Sequence, residues 1–305
     1  MDLTVWRTFV TVCRLGSLSA AAAELGHTQS AVSRQIAGLE RQLGVPLVRR
    51  HARGVRATEA GEVFRHHALI ALNEADRAVR AVREARDGAA NRPLALGATP
   101  SLAAGIVPAA IRTLLDRTGP VRWSLSPALS ARLHDRVVAG DLDLAVVTDA
   151  PPGLADHPRV AKRFLGTDEM VVALPAGHPL AGQGPVSLRE LADETWAEDN
   201  EGSAQLLRRH AARAGAEVRI DLAAADLPGK TALVATGHAV ALVPGVLTGA
   251  LRSDVTTVTL VDPPTRGVYT ITPVHAPHPA AAPLCEHLAA EFAATRAATA
   301  HPGPS

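Results

Sequence analysis

Apolar positions recur at helical spacing through the first ninety or so residues and in short strand-like runs beyond them, so the chain changes period once. Leu3 to Leu15 reads as a first helix with Leu3, Phe9, Val10 and Val12 toward a core. Gly16 to Leu25 (G-S-L-S-A-A-A-A-E-L) reads as a second, capped by Ser17 and rich in alanine, which lets a neighbour approach closely. Gly26 breaks it and Thr28 offers the next cap. In the third helix Val32, Ile36, Leu39 and Leu43 form a buried stripe at spacings of four, three and four. Opposite that stripe, near the helix start, lie Gln29, Ser30, Ser33 and Arg34. Short polar groups and a long donor on the first turns are what a DNA recognition helix needs to reach base edges and phosphates together.

Gly44 and Pro46 end this helix, and Arg53–Gly54 reads as the tip of a two-stranded wing crowded by Arg49, Arg50, Arg53 and Arg56. Thr58 then caps a long helix to about Arg86. Along it Phe64, Ala68, Ala71, Ala75, Ala78, Val82 and Ala85 alternate spacings of four and three, with Arg77, Arg80, Glu84 and Asp87 opposite. That seam suits either packing on its own domain or a coiled coil between two chains, and its small residues favour the second. Gly88 to Pro93 reads as a hinge.

Beyond it, runs at Leu94–Ala98, Arg122–Ser126 and Leu142–Thr148 predict one group of strands, and Glu169–Leu174, Val218–Leu222, Ala239–Val243 and Val255–Leu260 a second. Ser187 to Glu190 is a capping box, Val268–Pro273 a strand, Pro283–Arg296 a last helix and His301–Ser305 a frayed tail. Strands alternating with helical patterns predict parallel sheets with crossover helices, whose ligands sit at strand C-termini. Thr99, Pro100, Ser101, Ser126, Thr148, Ser203 and Pro244 fall at such ends, and helix N-termini beside them favour a carboxylate-bearing small molecule. Each hydroxyl taken singly is equally an ordinary helix cap. Trp123, Trp196 and Tyr269 suit core or subunit contacts better than a ligand.

Charge sharpens the division. The formal net charge is only +1, yet residues 1–91 hold 13 Arg against 9 acidic residues, and residues 28–56 hold six Arg against Glu40 alone. A basic reader joined to a mildly acidic body fits nucleic-acid binding. Cys13 and Cys285 have no metal-like spacing and read as buried thiols in a reducing compartment. No apolar run reaches the ~20 residues that span a bilayer, and residues 1–4 do not open an export signal, so a cytoplasmic protein is expected. His66–His67, His275 and His278 lack ligand-spaced partners, so no metal or cofactor is expected. Phosphate-loop, dinucleotide and nucleophile-elbow motifs are lacking, which leaves a cleft enzyme or a solute-binding module with an accessory DNA-binding domain as the weaker alternatives.

Residues 1–61 resemble the winged helix-turn-helix of LysR-type transcriptional regulators. The resemblance is carried by Ala21–Leu25, Q-S-A-V-S-R-Q-I from Gln29 to Ile36, L-E-x-x-L-G-V-P-L from Leu39 to Leu47, Arg50, Arg53–Gly54–Val55, Thr58 and Ala60–Gly61. Ser30, Val48 and Ala57 stand where that family usually has Pro, Phe and Leu. Gly140–Val147, His178–Ala181 and Val234–Pro244 are similar to its effector domain, with His238 in a place more often small. The resemblance implies a reader at 1–58, a linker and dimerisation helix at 59–91, and an effector body at 92–305. That body would be of two Rossmann-like subdomains like type 2 periplasmic binding proteins, about 92–165 with 268–300, and 166–267. It also implies DNA contacts from Thr28, Gln29, Ser30, Ser33, Arg34, Arg50 and Arg53, pairing through the residues from Phe64 to Val82, and two chain crossings near Leu165–Thr167 and Arg266–Val268. The implied partners are an inverted-repeat operator, a small-molecule effector, further copies of the chain as a dimer of dimers, and RNA polymerase.

Overall fold

The computed structural model describes residues 2–51, 54–87, 92–275 and 277–300. The expected hinge at 88–91, wing-tip Arg53 and tail 301–305 lie outside them, as do the side chains of Arg50, Arg77, Arg80, Glu84, Ala85 and Asp87. Contacts divide the chain into two units, Met1–Ala90 and Asn91–Ser305.

The first unit runs α1 (Leu3–Leu15), α2 (Leu18–Leu25), α3 (Gln29–Leu43), β1 (Val48–His51), β2 (Gly54–Ala57) and α4 (Glu59–Asp87). Side chains of Asp2, Ser17 and Thr28 cap the first three helices by accepting backbone N–H groups that the helices leave free. Phe9, Val12, Ala21, Val32, Ile36, Leu39 and Leu47 form the core. Leu3, expected inside, is 43% exposed, because it occupies the opening turn and lies off the Phe9–Val12 stripe. The Glu40 carboxylate accepts from the Leu47 and Val48 N–H groups at 2.7 and 3.0 Å, which ties the wing entrance to α3. From the other side, Thr58 donates its hydroxyl to Pro46 O and its N–H to Leu47 O.

The α4 seam is split. Phe64 packs edge-on against Trp6 and Phe9, with both centroid distances 5.3 Å, and Ala68 is 0% exposed. Phe64, half-buried, packs on the core of its own unit, and Ala68 has no surface left for a second chain, contrary to its expected pairing role. Ala71 and Ala75 are half-buried, while Ala78, Val79 and Val82 stand exposed, Val82 at 71%.

The second unit contains β3 (Leu94–Ala98), α5 (Pro100–Ala103), α6 (Ile106–Thr118), β4 (Trp123–Pro127), α7 (Ser130–Ala139), β5 (Leu144–Thr148), β6 (Val160–Pro175), β7 (Thr195–Glu198), α8 (Glu201–Ala214), β8 (Arg219–Ala223), α9 (Leu227–Ala235), β9 (Ala241–Pro244), β10 (Val255–Val258), β11 (Thr265–Pro273) and α10 (Ala281–Ala300). The Ser187 capping box opens a short 3-10 turn at Leu188–Leu191. Strands β4, β3 and β5 lie parallel, as the alternating pattern predicts. Strands β11 and β6 run antiparallel to their neighbours, because they carry the chain between the two halves. One continuous β6 pairs with β11 along its first part and with β9 and β10 along its second. Its early residues alternate too little to signal a strand, since Ala161, Lys162 and Arg163 are exposed. Separate cores sit in the two halves, one around Leu96, Ile111, Val146 and Leu288, the other around Val172, Trp196, Leu207 and Leu242.

Candidate functional site

Two places gather the polar residues singled out above, one in each unit. In the first, Thr28 accepts from Ala31 N–H at 3.2 Å and so fixes the start of α3. Gln29 is exposed, and its side-chain oxygen accepts from the Ser19 hydroxyl of α2 at 3.1 Å, which sets the direction of its amide. The Ser30 hydroxyl lies 3.1 Å from the Thr28 hydroxyl, so this departure from the family's usual proline adds a hydrogen bond to the cap. Ser33 is half-buried, and Arg34 is exposed with no ion-pair partner among the described residues. The β1–β2 hairpin beside them sets Arg49 directly opposite Arg56, both exposed. Like charges facing each other across a ladder cost stability unless something anionic lies over them.

The second place is a cavity of about 260 Å³ in the second unit, bounded by Thr99, Ser101, Leu129, Ser130, Thr148, Pro151, Met170, Asp199, Ser203, Leu227, Lys230, Pro244 and Arg266 among others. Thr99, Pro100, Ser101, Thr148, Ser203 and Pro244 meet there as the strand-end argument expects. Ser126 does not. It sits on edge strand β4, and Ser130, the first residue of α7, lines the cavity in its place, accepting from Thr148 N–H at 3.0 Å. Trp196 is wholly buried in core, Trp123 is exposed on the edge strand, and Tyr269 packs on Phe164 and donates to Asp149. His238 is exposed and does not line the cavity.

The charged groups of this cavity carried no motif. Lys230 on α9 is 1% exposed, and its ammonium donates to Glu198 at 2.5 Å, Asp199 at 3.1 Å and the Ser203 hydroxyl at 3.4 Å. Burial, only partly offset by Lys230, pushes the Glu198 carboxyl above the usual carboxylate range. Arg266 on β11 donates through Nε and Nη2 to Asp168 on β6 at 3.0 and 2.8 Å, and through Nη2 to the Ser101 hydroxyl at 2.9 Å. Asp168 also accepts from Val246 N–H. This buried pair joins the two strands that cross between the halves to the turn that opens the cavity. One signal was available: Lys230 is one of only two lysines and stands alone in the apolar run L-P-G-K-T-A-L-V-A.

Elsewhere, Cys13 is half-buried with its thiol pushed up to about 11 by burial, so it stays protonated at neutral pH. Among the described residues no group of three His, Cys, Asp or Glu is placed to hold a metal ion, and no helix is long and apolar enough to cross a membrane.

A capped helix-turn-helix with a basic wing, followed by a two-part α/β unit with a cavity at strand ends, is the architecture of a DNA-binding regulator with a substrate-binding domain. Residues 3–62 match the bacterial regulatory helix-turn-helix protein, lysR family, and residues 87–293 match the LysR substrate binding domain. The chain belongs to the LysR family of DNA-binding transcriptional regulators. It is 30% identical over 269 residues to the transcriptional regulator BudR of Raoultella terrigena, covering 84% of this chain and 89% of that protein. It is 31% identical over 198 residues to a probable cat1 operon transcriptional activator of Acinetobacter lwoffii, an alignment that spans 64% of this chain and 63%, less than two thirds, of that relative. The fold is also that of full-length CbnR in complex with its target DNA, with a TM-score of 0.65 at 22% identity over 95% of this chain and all of that one.

Proposed function

We propose that the chain is a sequence-specific regulator whose α3 reads an inverted-repeat operator and whose effector unit answers to a small molecule in the Thr99–Lys230 cavity. The observation that carries the reading side is Arg34, exposed on the first turns of α3 with no ion-pair partner among the described residues, beside the facing pair Arg49 and Arg56. Gln29 and Arg34 are assigned to base edges, Thr28, Ser30 and Ser33 to the adjoining backbone or bases, and Arg49, Arg50, Arg53 and Arg56 to phosphates, where arginine sets affinity and register without reading sequence.

In this reading residues 1–58 form the reader, 59–91 the linker and 92–305 the effector body. Two chains pair through the distal part of α4, where Ala78, Val79 and Val82 are exposed, and pairs associate further as a dimer of dimers. Ala71 and Ala75 border that face. The effector acts by linkage, favouring one arrangement of the body and so one spacing of paired readers. A carboxylate on the effector would meet the hydroxyls of Thr99 and Ser101. Action is by binding without turnover, in the cytoplasm, with RNA polymerase as the downstream partner.

Arg34→Ala is expected to cost about 1–3 kcal/mol in operator binding and to relax preference at one base position, whereas Arg49→Ala weakens all sequences alike and lowers the salt slope by about one. Competition binding with single-base operator variants at fixed salt distinguishes them. A uniform loss for Arg34→Ala removes it from the base-reading set.

A further inference from the structure

The charges around the effector cavity do not balance, and the imbalance bears on what the cavity holds. Lys230 has three N–H donors and spends all three, on Glu198, Asp199 and Ser203. One buried cation thus serves two carboxyl groups, and with both ionised one negative charge remains on that wall. Arg266 is committed to Asp168, a carboxylate that is 2% exposed. Neither cation is left over for a ligand. Both contacts that Asp199 accepts, from Lys230 and from the Asn200 amide, fall on Oδ1, so Oδ2 has no partner among the described residues. The Oε1 atom of Glu198, itself 5% exposed, has none either. Asp199 is half-buried and lines the cavity, so its Oδ2 is open to a donor from outside the chain, whereas the buried Glu198 is not among the lining residues.

The facing wall has the opposite need. Ser101 accepts from Arg266, and among the described residues its own hydroxyl hydrogen has no acceptor and the hydroxyl of Thr99, itself 5% exposed, has no partner. Thr99 is the cap residue between β3 and α5 and Ser101 lies in the first turn of α5, while Asp199 comes from the turn between β7 and α8, and all of them bound one cavity. The rest of its lining is largely apolar, including Leu129, Met170, Leu206 and Leu227.

We infer that the effector is a small zwitterion of the amino-acid type, its ammonium on Asp199 and its carboxylate on the Thr99 and Ser101 hydroxyls. This rests on the cavity being the effector site, as proposed above. The ammonium supplies the missing positive charge to the Glu198–Asp199–Lys230 group, and an apolar side chain fills the remaining space. A carboxylic acid lacking the amine leaves that charge uncompensated and brings a second one near it.

The test is calorimetric titration of the full chain, after a thermal-shift screen, with the standard amino acids plus norvaline and norleucine and with matched acids lacking the amine: propionate, pentanoate, hexanoate, succinate and glutarate. The expected result is an amino acid that binds at least about tenfold more tightly than its matched acid, with Asp199→Asn bringing the two affinities together. The inference is overturned if the matched acids bind as well as the amino acids, if Asp199→Asn leaves the preference intact, or if no amino acid binds. Ala131→Trp, which fills the cavity, separates this from the underlying reading. Amino-acid binding that survives Ala131→Trp overturns the cavity assignment itself. Loss of all binding in that variant, with no advantage for the amine in the unaltered chain, overturns only the zwitterion.

Discussion

Lys230→Met should destabilise the effector unit by about 3–5 kcal/mol, because it leaves the buried carboxylates of Glu198 and Asp199 without their cation. The substitution keeps the stem volume, so the loss is electrostatic and not a cavity effect. Urea unfolding of the full chain, followed by a probe in the effector unit such as Trp196 fluorescence, reads it as a lowered midpoint. The dependence on pH has a definite sign. The Glu198 carboxyl is raised in the folded state, so whatever stability its protonated form contributes is full below the ordinary carboxylate range and is lost as pH rises through the raised value. Glu198→Gln removes that slope and retains the Lys230–Asp199 pair. The double variant Lys230→Met, Glu198→Gln is therefore expected to recover part of the lost stability at neutral pH. An unfolding midpoint for Lys230→Met equal to that of the unaltered chain would show that the triad is solvated and would remove it from the account.

Gly61→Ala should destabilise the reader by about 1–3 kcal/mol or more, although alanine is ordinarily the better helix former by about 1 kcal/mol. Gly61 lies in the first turn of α4, and a Cβ there would stand 2.0 Å from the Leu47 carbonyl oxygen. That carbonyl already accepts from Thr58 N–H, and the Leu47 N–H is held by Glu40, so a shift of the wing entrance strains both bonds. Either α4 or the wing must shift, and β1 with Arg49 moves with it. Thermal unfolding and operator binding should fall together, with affinity reduced on all sequences alike. A melting temperature unchanged or raised would mean that the wing entrance adapts freely.

The reader was legible because local rules settle it. Ser17 and Thr28 cap helices, Gly16, Gly26 and Gly44 adopt the left-handed φ that ends them, and Val32, Ile36 and Leu39 keep the helical period, so each element declares itself within a few residues. The seam on α4 was legible as a seam but not by owner. Spacing alone does not say whether Phe64 meets Trp6 of its own chain or another copy. In the effector unit, strand ends brought Thr99, Ser101, Thr148, Ser203 and Pro244 to one cavity, yet the same reasoning misplaced Ser126, whose strand is the outermost. The charged groups were hidden because their partners are distant in sequence. Lys230 finds Glu198 32 residues away, and Arg266 finds Asp168 98 residues away, across strands whose pairing no local pattern encodes.

The central claim is that the first turns of α3 read base sequence, and its most direct measurement is selection of duplexes from a random library by the full chain. Enrichment of an inverted repeat bound at least about 10³-fold more tightly than a scrambled duplex at the same salt concentration is expected. Binding of equal strength to every duplex, or none to any, would contradict it.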